Sequence, residues 1–354
     1  MSHSFSIEDL PGKGRGLVAA RPLHAGEVIV AEEPALTVVC EAYKEVCCCS
    51  CLRQCTEGQS VCQACGQASF CGQNCWNTAT TTPGVHDPMV CTGLRGLAGA
   101  QIPAEDIDSV RFVIHALALR HASATSAPAL ERYSKIMALC GMPSDTRAEY
   151  IHKVACHALG VPGSAISDME IAALLQKDVL NSYGVMAGPS SRAAEEHFER
   201  DVRAGCIYPI ASLVNHDCMP NAARVDNFDN GDTRIALVAL HDIQQGQEIC
   251  QSYVPLNWAW DERKAKLSDY GFECRCERCR TEFEWPSDGE GDGVEAGPRT
   301  EMDMYLSLFF IKYICPNEKC GGTLVPLVGQ GRSKCNVCGK ERSEEEFQQE
   351  IGAR

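Results

Sequence analysis

Short apolar runs broken by glycine and proline fill the first forty residues, and this pattern predicts strands and turns over residues 5–39. Gly12-Lys13-Gly14-Arg15-Gly16-Leu17 reads as a flexible stretch before Val18-Ala19-Ala20. The turn Pro22-Leu23-His24-Ala25-Gly26 then leads into the strand Glu27-Val28-Ile29-Val30. Residues 94–180 change period. Ile107 to His121 is apolar-rich, Arg147 to Leu159 carries apolar residues at three- and four-residue intervals, and Asp168 to Leu180 is a third helix. Ser167-Asp168-Met169-Glu170 offers a capping box at its start, with Ser167 at the cap. Residues 181–260 return to strand character, with a buried strand at Ile235 to Leu240. The turn Asp242 to Glu248 follows, then Ile249-Cys250-Gln251-Ser252-Tyr253. Residues 284–301, acidic with Gly, Pro and Ser, read as a linker, and Ser343 to Arg354 as a short exposed helix. No internal repeat is visible, and no stretch is long and apolar enough to span a bilayer.

Cysteine changes this picture most. The chain has 23 among 354 residues, about 6 %, below the density of a small secreted disulfide scaffold. Their C-x2-C grouping favours zinc over disulfides. Residues 47–91 are cysteine-dense and poor in large apolar side chains, so metal must supply the stability that an oily core cannot. Cys48 and Cys51, Cys62 and Cys65, Cys71 and Cys75, then His86 and Cys91 make eight ligands for two ions. Cys47, Cys48 and Cys49 compete for the first position. A further set, Cys315, Cys320, Cys335 and Cys338, carries glycine after two of its cysteines, as a small zinc ribbon needs. His115, His121, His152 and His157 fall on predicted helices. Although His152 and Cys156 have metal-pair spacing, these read as packed or solvated side chains.

Charge narrows the partners. A formal net charge of −15 repels a phosphate backbone and suits a basic peptide better. The finger region holds one arginine, Arg53, and no lysine, which argues against nucleic acid. Met1-Ser2-His3-Ser4-Phe5-Ser6 lacks the basic and apolar regions of a secretory signal, so the expectation is nucleus or cytoplasm, with reduced thiols and no membrane partner.

Two distant fragments carry the remaining chemistry. Asn215-His216-Asp217-Cys218-Met219-Pro220-Asn221 contains one cysteine, and Cys274-Arg275-Cys276-Glu277-Arg278-Cys279 contains three. If the four meet around zinc, they clamp the second fragment over the first, beside Tyr253.

Taken in order, these motifs resemble the SET- and MYND-domain protein lysine methyltransferases, the SMYD family. Gly12 to Leu17 opens the pattern. Asn181-Ser182-Tyr183-Gly184, Tyr208-Pro209, Ser212-Leu213, the Asn215 to Asn221 fragment, Gly246 to Ile249, Ser252-Tyr253 and Tyr270-Gly271-Phe272 with its cysteines follow. The likeness covers roughly residues 5–282, and closest in layout are the shorter plant-type SET-MYND proteins. It implies an α+β fold: a SET β-fold of several small sheets, interrupted by a MYND zinc finger and a helical insert, then a post-SET zinc site and a C-terminal zinc ribbon. The expected divisions are 1–46 for the first SET part, 47–91 for the finger and 92–180 for the insert. The catalytic SET part is 181–260 and the post-SET segment 261–283; the linker is 284–301, and ribbon and tail are 302–354.

The finger resemblance implies alternate pairing: Cys48, Cys51, Cys71 and Cys75 on one zinc, Cys62, Cys65, His86 and Cys91 on the other. The Cys75 to His86 gap is a few residues longer than the family's. With Cys218, Cys274, Cys276 and Cys279, and the ribbon, about four zinc ions are expected.

Methyl transfer from S-adenosylmethionine to a lysine of a protein, histone or non-histone, is the implied activity. Tyr253 matches the catalytic tyrosine, and Tyr183 and Tyr270 match the lysine channel. Lys13, Gly14, Arg15, Asn215, His216 and Phe272 match the cofactor site. Trp258 stands where relatives have a tyrosine. The alternative is a non-catalytic adaptor whose finger binds proline-rich peptides. Many relatives carry a long helical domain after the cysteine cluster, whereas the residues that follow the cluster here read as a linker and the ribbon.

Overall fold

A computed structural model describes residues 4–55, 58–187, 201–283, 301–317 and 320–352. The chain divides into two compact units. One comprises residues 1–31, 213–225 and 235–354; the other comprises 32–212 and 226–234. Most of the linker expected at 284–301 lies outside the described residues. Its last residue, Glu301, begins a helix, Glu301–Tyr313, that the sequence reading did not contain.

In the first unit, the strand Phe5–Leu10 pairs antiparallel with Gly14–Ala19. The glycine-rich stretch is therefore largely strand rather than flexible loop. Gly14–Ala19 pairs with Glu248–Gln251, matching Leu17 to Ile249, and Glu248–Gln251 runs parallel to the two-residue strand Asn215–His216. That last pairing sets Cys250 opposite Asn215 and Gln251 opposite His216. The strand Glu248–Gln251 is also pinned by Asn221, whose amide donates to the Glu248 carbonyl at 2.8 Å while its Oδ1 accepts from the Cys250 N–H at 2.8 Å.

The C-terminal residues of this unit are built into it. Phe309 and Tyr313 from Glu301–Tyr313 pack with Val238, Leu240 and Leu256. The Tyr313 hydroxyl donates to the Leu240 carbonyl, and Asn336 donates to the Arg224 carbonyl at 2.8 Å. Three antiparallel strands, Leu324–Leu327, Arg332–Cys335 and Glu341–Ser343, complete the ribbon. The final helix, Glu344–Gly352, buries Phe347 and is otherwise polar but for Ile351 and Gly352.

In the second unit, Leu36–Val39, Val202–Ile207 and Ser182–Met186 form an antiparallel sheet. Around it lie the finger and six helices among the described residues. Ile107–Ala122 is central: every residue from Val110 to Leu119 is buried, which is why its sequence is apolar all round rather than striped. Ala148–Leu159 ends at Gly160 in the left-handed region. Asp168–Asn181 begins at Ser167, whose hydroxyl accepts from the Glu170 N–H at 3.2 Å. The reciprocal half of the expected capping box is absent. The Glu170 carboxylate turns to Arg120 and the Tyr133 hydroxyl, 2.7 Å from each, because a cation and a phenol outcompete one backbone amide. Gln73–Thr81, Pro88–Gly96 and Ala127–Met137 are helices not named from the sequence. No described helix is long and apolar enough to cross a membrane.

Candidate active site

Sixteen ligand atoms converge in four groups: Cys48, Cys51, Cys71 and Cys75; Cys62, Cys65, His86 and Cys91; Cys218, Cys274, Cys276 and Cys279; Cys315, Cys320, Cys335 and Cys338. Within each group all ligand atoms lie within 4.8 Å of one another. A tetrahedron of Zn–S bonds near 2.3 Å has S···S edges of about 3.8 Å. The observed separations approach this: 3.7 Å for Cys51 to Cys71, 3.7 Å for Cys62 to Cys91, 3.6 Å for Cys218 to Cys279 and 3.6 Å for Cys320 to Cys335. All 23 cysteines are free of disulfides.

The donor chemistry fits a dication. Contacts among Cys218, Cys274, Cys276 and Cys279 push Cys218 far above the thiol range and hold Cys279 far below it. Four sulfurs this close cannot all ionise unaided, and Zn²⁺ removes the conflict. Burial pushes His86 down to about 4, so its imidazole is neutral, as a ligand must be. Cys47 turns instead to the Leu52 carbonyl at 3.4 Å, and burial pushes its thiol up to about 12. His152 pairs with Asp168 at 2.5 Å, while His121 and His157 are exposed.

Tyr253 lies two residues beyond the strand Glu248–Gln251. Its hydroxyl donates to the Val214 carbonyl at 2.9 Å and its N–H donates to Nδ1 of His216 at 3.0 Å. Because Nδ1 accepts, the ring proton of neutral His216 sits on Nε2, which points at Cys218 Sγ 3.1 Å away. Burial pushes His216 down to about 4, consistent with the neutral ring. Around Tyr253 stand Tyr270, at 5.0 Å between ring centres, His216 at 5.3 Å, and Phe272 edge-on at 6.4 Å. Phe272 remains 38 % exposed. Burial raises the Tyr270 phenol above its ordinary range, so it stays protonated. Tyr183 belongs to the second unit. Its hydroxyl donates to the Ala211 carbonyl at 2.8 Å and its ring stands edge-on to Tyr208.

Lys13, Gly14, Arg15 and Asn215 gather on the paired strands. Asn215 donates to Oε1 of Glu248 at 2.9 Å, and Lys13 contacts Oε2 of the same carboxylate at 2.5 Å. Burial alone would lower Lys13, but the carboxylate outweighs it and raises the ammonium above its usual range. A side chain at Gly16 would put Cβ 2.7 Å from the Asn215 amide and 2.4 Å from Leu10. Glycine is thus what lets Asn215 reach Glu248. Both ring nitrogens of His216 are taken up internally, so its contribution to a cofactor would come from backbone or ring face.

Four residues, Glu248, Arg263, Arg278 and Glu282, have roles that the sequence reading does not assign. In sequence Glu248 reads as the end of a turn and as part of the Gly246 to Ile249 motif, with no role of its own; that role depends on the parallel pairing that carries Asn215 alongside. Arg263 and Arg278, both buried, share Glu282 at 2.5 and 2.6 Å beneath the cysteine cluster. Arg263 also donates to Cys279 Sγ at 3.8 Å, and both guanidinium groups donate to the Trp258 carbonyl. Two buried cations next to four thiolates offset the excess negative charge that a dication leaves.

The family model described as the SET domain matches residues 14–254. The chain belongs to the SET-domain family. Similar relatives of this SET-domain chain include "Histone-lysine N-methyltransferase ASHR2" of Arabidopsis thaliana, 33 % identical, covering 96 % of this chain and 95 % of the relative. "Histone-lysine N-methyltransferase ASHR1" of the same plant is 25 % identical, over 97 % of this chain and 65 % of the relative. "Histone-lysine N-methyltransferase SMYD3" of Homo sapiens is 25 % identical, over 76 % and 60 %. The SET-domain chain therefore spans nearly all of the first relative and under two thirds of the other two. A solved SET domain of LSMT, bound to lysine and AdoHcy, matches 77 % of this chain and 53 % of its own, at 12 % identity and a TM-score of 0.39.

Proposed function

We propose that this protein is an S-adenosylmethionine-dependent protein-lysine methyltransferase that uses Tyr253 as its catalytic tyrosine and four zinc ions as structural supports. The single observation that carries this reading is the fixed phenol. Tyr253 gives its proton to the Val214 carbonyl, so the oxygen's lone pairs remain for an amine or a polarised methyl. Its ring is held between Tyr270 and Phe272.

The residues present fit the cofactor. Phe272 offers an exposed aromatic face beside His216. Lys13, Gly14, Arg15 and Asn215 offer a cation, open backbone and an amide along the same strand edge. When bound, S-adenosylmethionine supplies an electrophilic methyl on a sulfonium, an excellent leaving group.

What the protein must add is alignment and an unprotonated lysine. A free lysine has a pKa of about 10.4 and is almost wholly protonated at neutral pH. The aromatic wall of Tyr253, Tyr270 and Phe272 desolvates an entering ammonium and favours its neutral form. Tyr253 orients the amine, and the proton leaves to water. No histidine base is needed, and His216 is spent on other contacts. The net charge of −15 favours lysine-rich segments, histone tails among them. Docking of proline-rich peptides on the finger and residence in nucleus or cytoplasm belong to the same proposal, supported by the family resemblance.

Incubating zinc-replete protein with radiolabelled methyl donor, histones and a mixed lysate tests this. Label on a lysine supports the reading. No label on any lysine, with folded protein, would leave the adaptor role.

A further inference from the structure

In the second unit, Ser69 Oγ, His86 Nδ1 and His115 Nε2 are buried atoms with no protein partner. Their residues are 0, 2 and 3 % exposed. All three residues line one small cavity of about 10 Å³, together with Gln67, Val85, Leu94 and Arg111. That is room for about one water molecule.

The hydrogen-bonding senses are complementary. His86 Nε2 faces Cys65 Sγ in the second finger group, so with zinc on Nε2 its proton lies on Nδ1, a donor. His115 Nδ1 lies 3.0 Å from the Gly84 carbonyl, which only accepts. The His115 proton is therefore on Nδ1, and its Nε2 is an acceptor. Ser69 can act in either sense. Each nitrogen of Arg111 already has an acceptor: Nε the Val39 carbonyl at 3.0 Å, Nη1 Glu41 at 2.8 Å, Nη2 the Gln67 carbonyl at 3.3 Å. A cation would face the His86 N–H and the Arg111 charge, and an anion would face the His115 lone pair. A neutral molecule that both accepts and donates suits all three.

We propose that a single buried water bridges His86, His115 and Ser69, making His115 a positioning residue for the second finger zinc. The water accepts from His86 Nδ1, donates to His115 Nε2 and bonds the Ser69 hydroxyl. It ties the zinc's histidine to the central insert helix Ile107–Ala122. Gly84 makes the arrangement fit: a Cβ there would lie 2.9 Å from Leu119 Cβ and 3.2 Å from the His115 carbonyl.

The inference rests on zinc in the second finger group and not on methyl transfer, so metal analysis of each sample separates the two. A high-resolution crystal structure of the zinc-loaded full chain should show one density peak within hydrogen-bond distance of all three atoms. Protein with ¹⁵N-labelled histidine should show a slowly exchanging His86 Nδ1 proton with a cross-peak to a long-lived water. His115→Leu should weaken zinc retention at one site by about 10- to 100-fold in chelator competition, and His115→Gln, which keeps an acceptor, should restore most of it. Zinc-loaded crystals with no peak in the cavity, His86 Nδ1 bonded directly to protein, or unchanged zinc retention in folded His115→Leu would overturn the proposal. If His115→Leu does not fold, the wild-type crystal and the water cross-peak still decide.

Discussion

The Tyr253 backbone and the Cys218 sulfur meet on one ring: Nδ1 of His216 accepts from the Tyr253 N–H at 3.0 Å, and Nε2 lies 3.1 Å from Cys218 Sγ. The imidazole is a strut between the residue proposed for catalysis and the cluster proposed for zinc. His216→Leu leaves the Tyr253 N–H unpartnered, a cost of about 1–3 kcal/mol. It also removes a donor to a metal-bound sulfur, so zinc retention at this site should fall by about 10- to 100-fold. Chelator competition and kcat, measured on the same preparation, should fall together.

Glu248 joins Lys13 to Asn215 through the two oxygens of one carboxylate. Glu248→Ala should leave the fold intact and weaken cofactor binding by about tenfold, equivalent to about 1.4 kcal/mol. Calorimetric titration with S-adenosylhomocysteine reads this directly. Unchanged affinity would remove Glu248 from the cofactor site.

Glu282 is shared by Arg263 and Arg278, and all three side chains are nearly inaccessible. Glu282→Gln removes the carboxylate shared by the two buried cations and leaves them only the excess negative charge of the cysteine cluster. Unfolding free energy should drop by about 3–5 kcal/mol, as for other broken buried pairs. Denaturant titration measures it. A drop within the error of the method would show that the cluster's own negative charge suffices.

Metal content is a separate check. The four groups predict about four zinc ions per chain. Removal by chelator should melt the finger, since its residues have little other core. Two ions or fewer by elemental analysis would remove the ribbon and at least one other site.

Legibility from sequence followed the range of the interactions. The helix Ile107–Ala122 and the cap at Ser167 were readable because period and capping are local. The cysteine pairs were readable because thiol spacing is constrained by the metal, whereas the division of the finger pairs between two groups came from the family resemblance, and spacing left Cys47, Cys48 and Cys49 open for the first position. Pro88–Gly96 carries a local signal of its own, Asp87 at the cap with Pro88 in the first turn. Glu301–Tyr313 follows an acidic, glycine-bearing stretch and is apolar on several faces, so it offered no clean period; its place is set by packing against Val238 and Leu256. The glycines of Gly14–Ala19 suggested flexibility, whereas Gly16 is small because Asn215 approaches it. Glu248 acts through Lys13 and Asn215, and Arg263 pairs with Glu282 nineteen residues on, which no short window displays; the Arg278–Glu282 pair, at i,i+4 spacing, is local.

The Tyr253 hydroxyl makes its hydrogen bond to Val214 through one atom, and Tyr253→Phe removes that atom alone. The decisive measurement is kcat for this variant, in protein shown to hold its full zinc complement and to bind the methyl donor normally. The account predicts a fall of about 100-fold or more, as for other lost contacts to developing charge. Turnover at the wild-type level would contradict it.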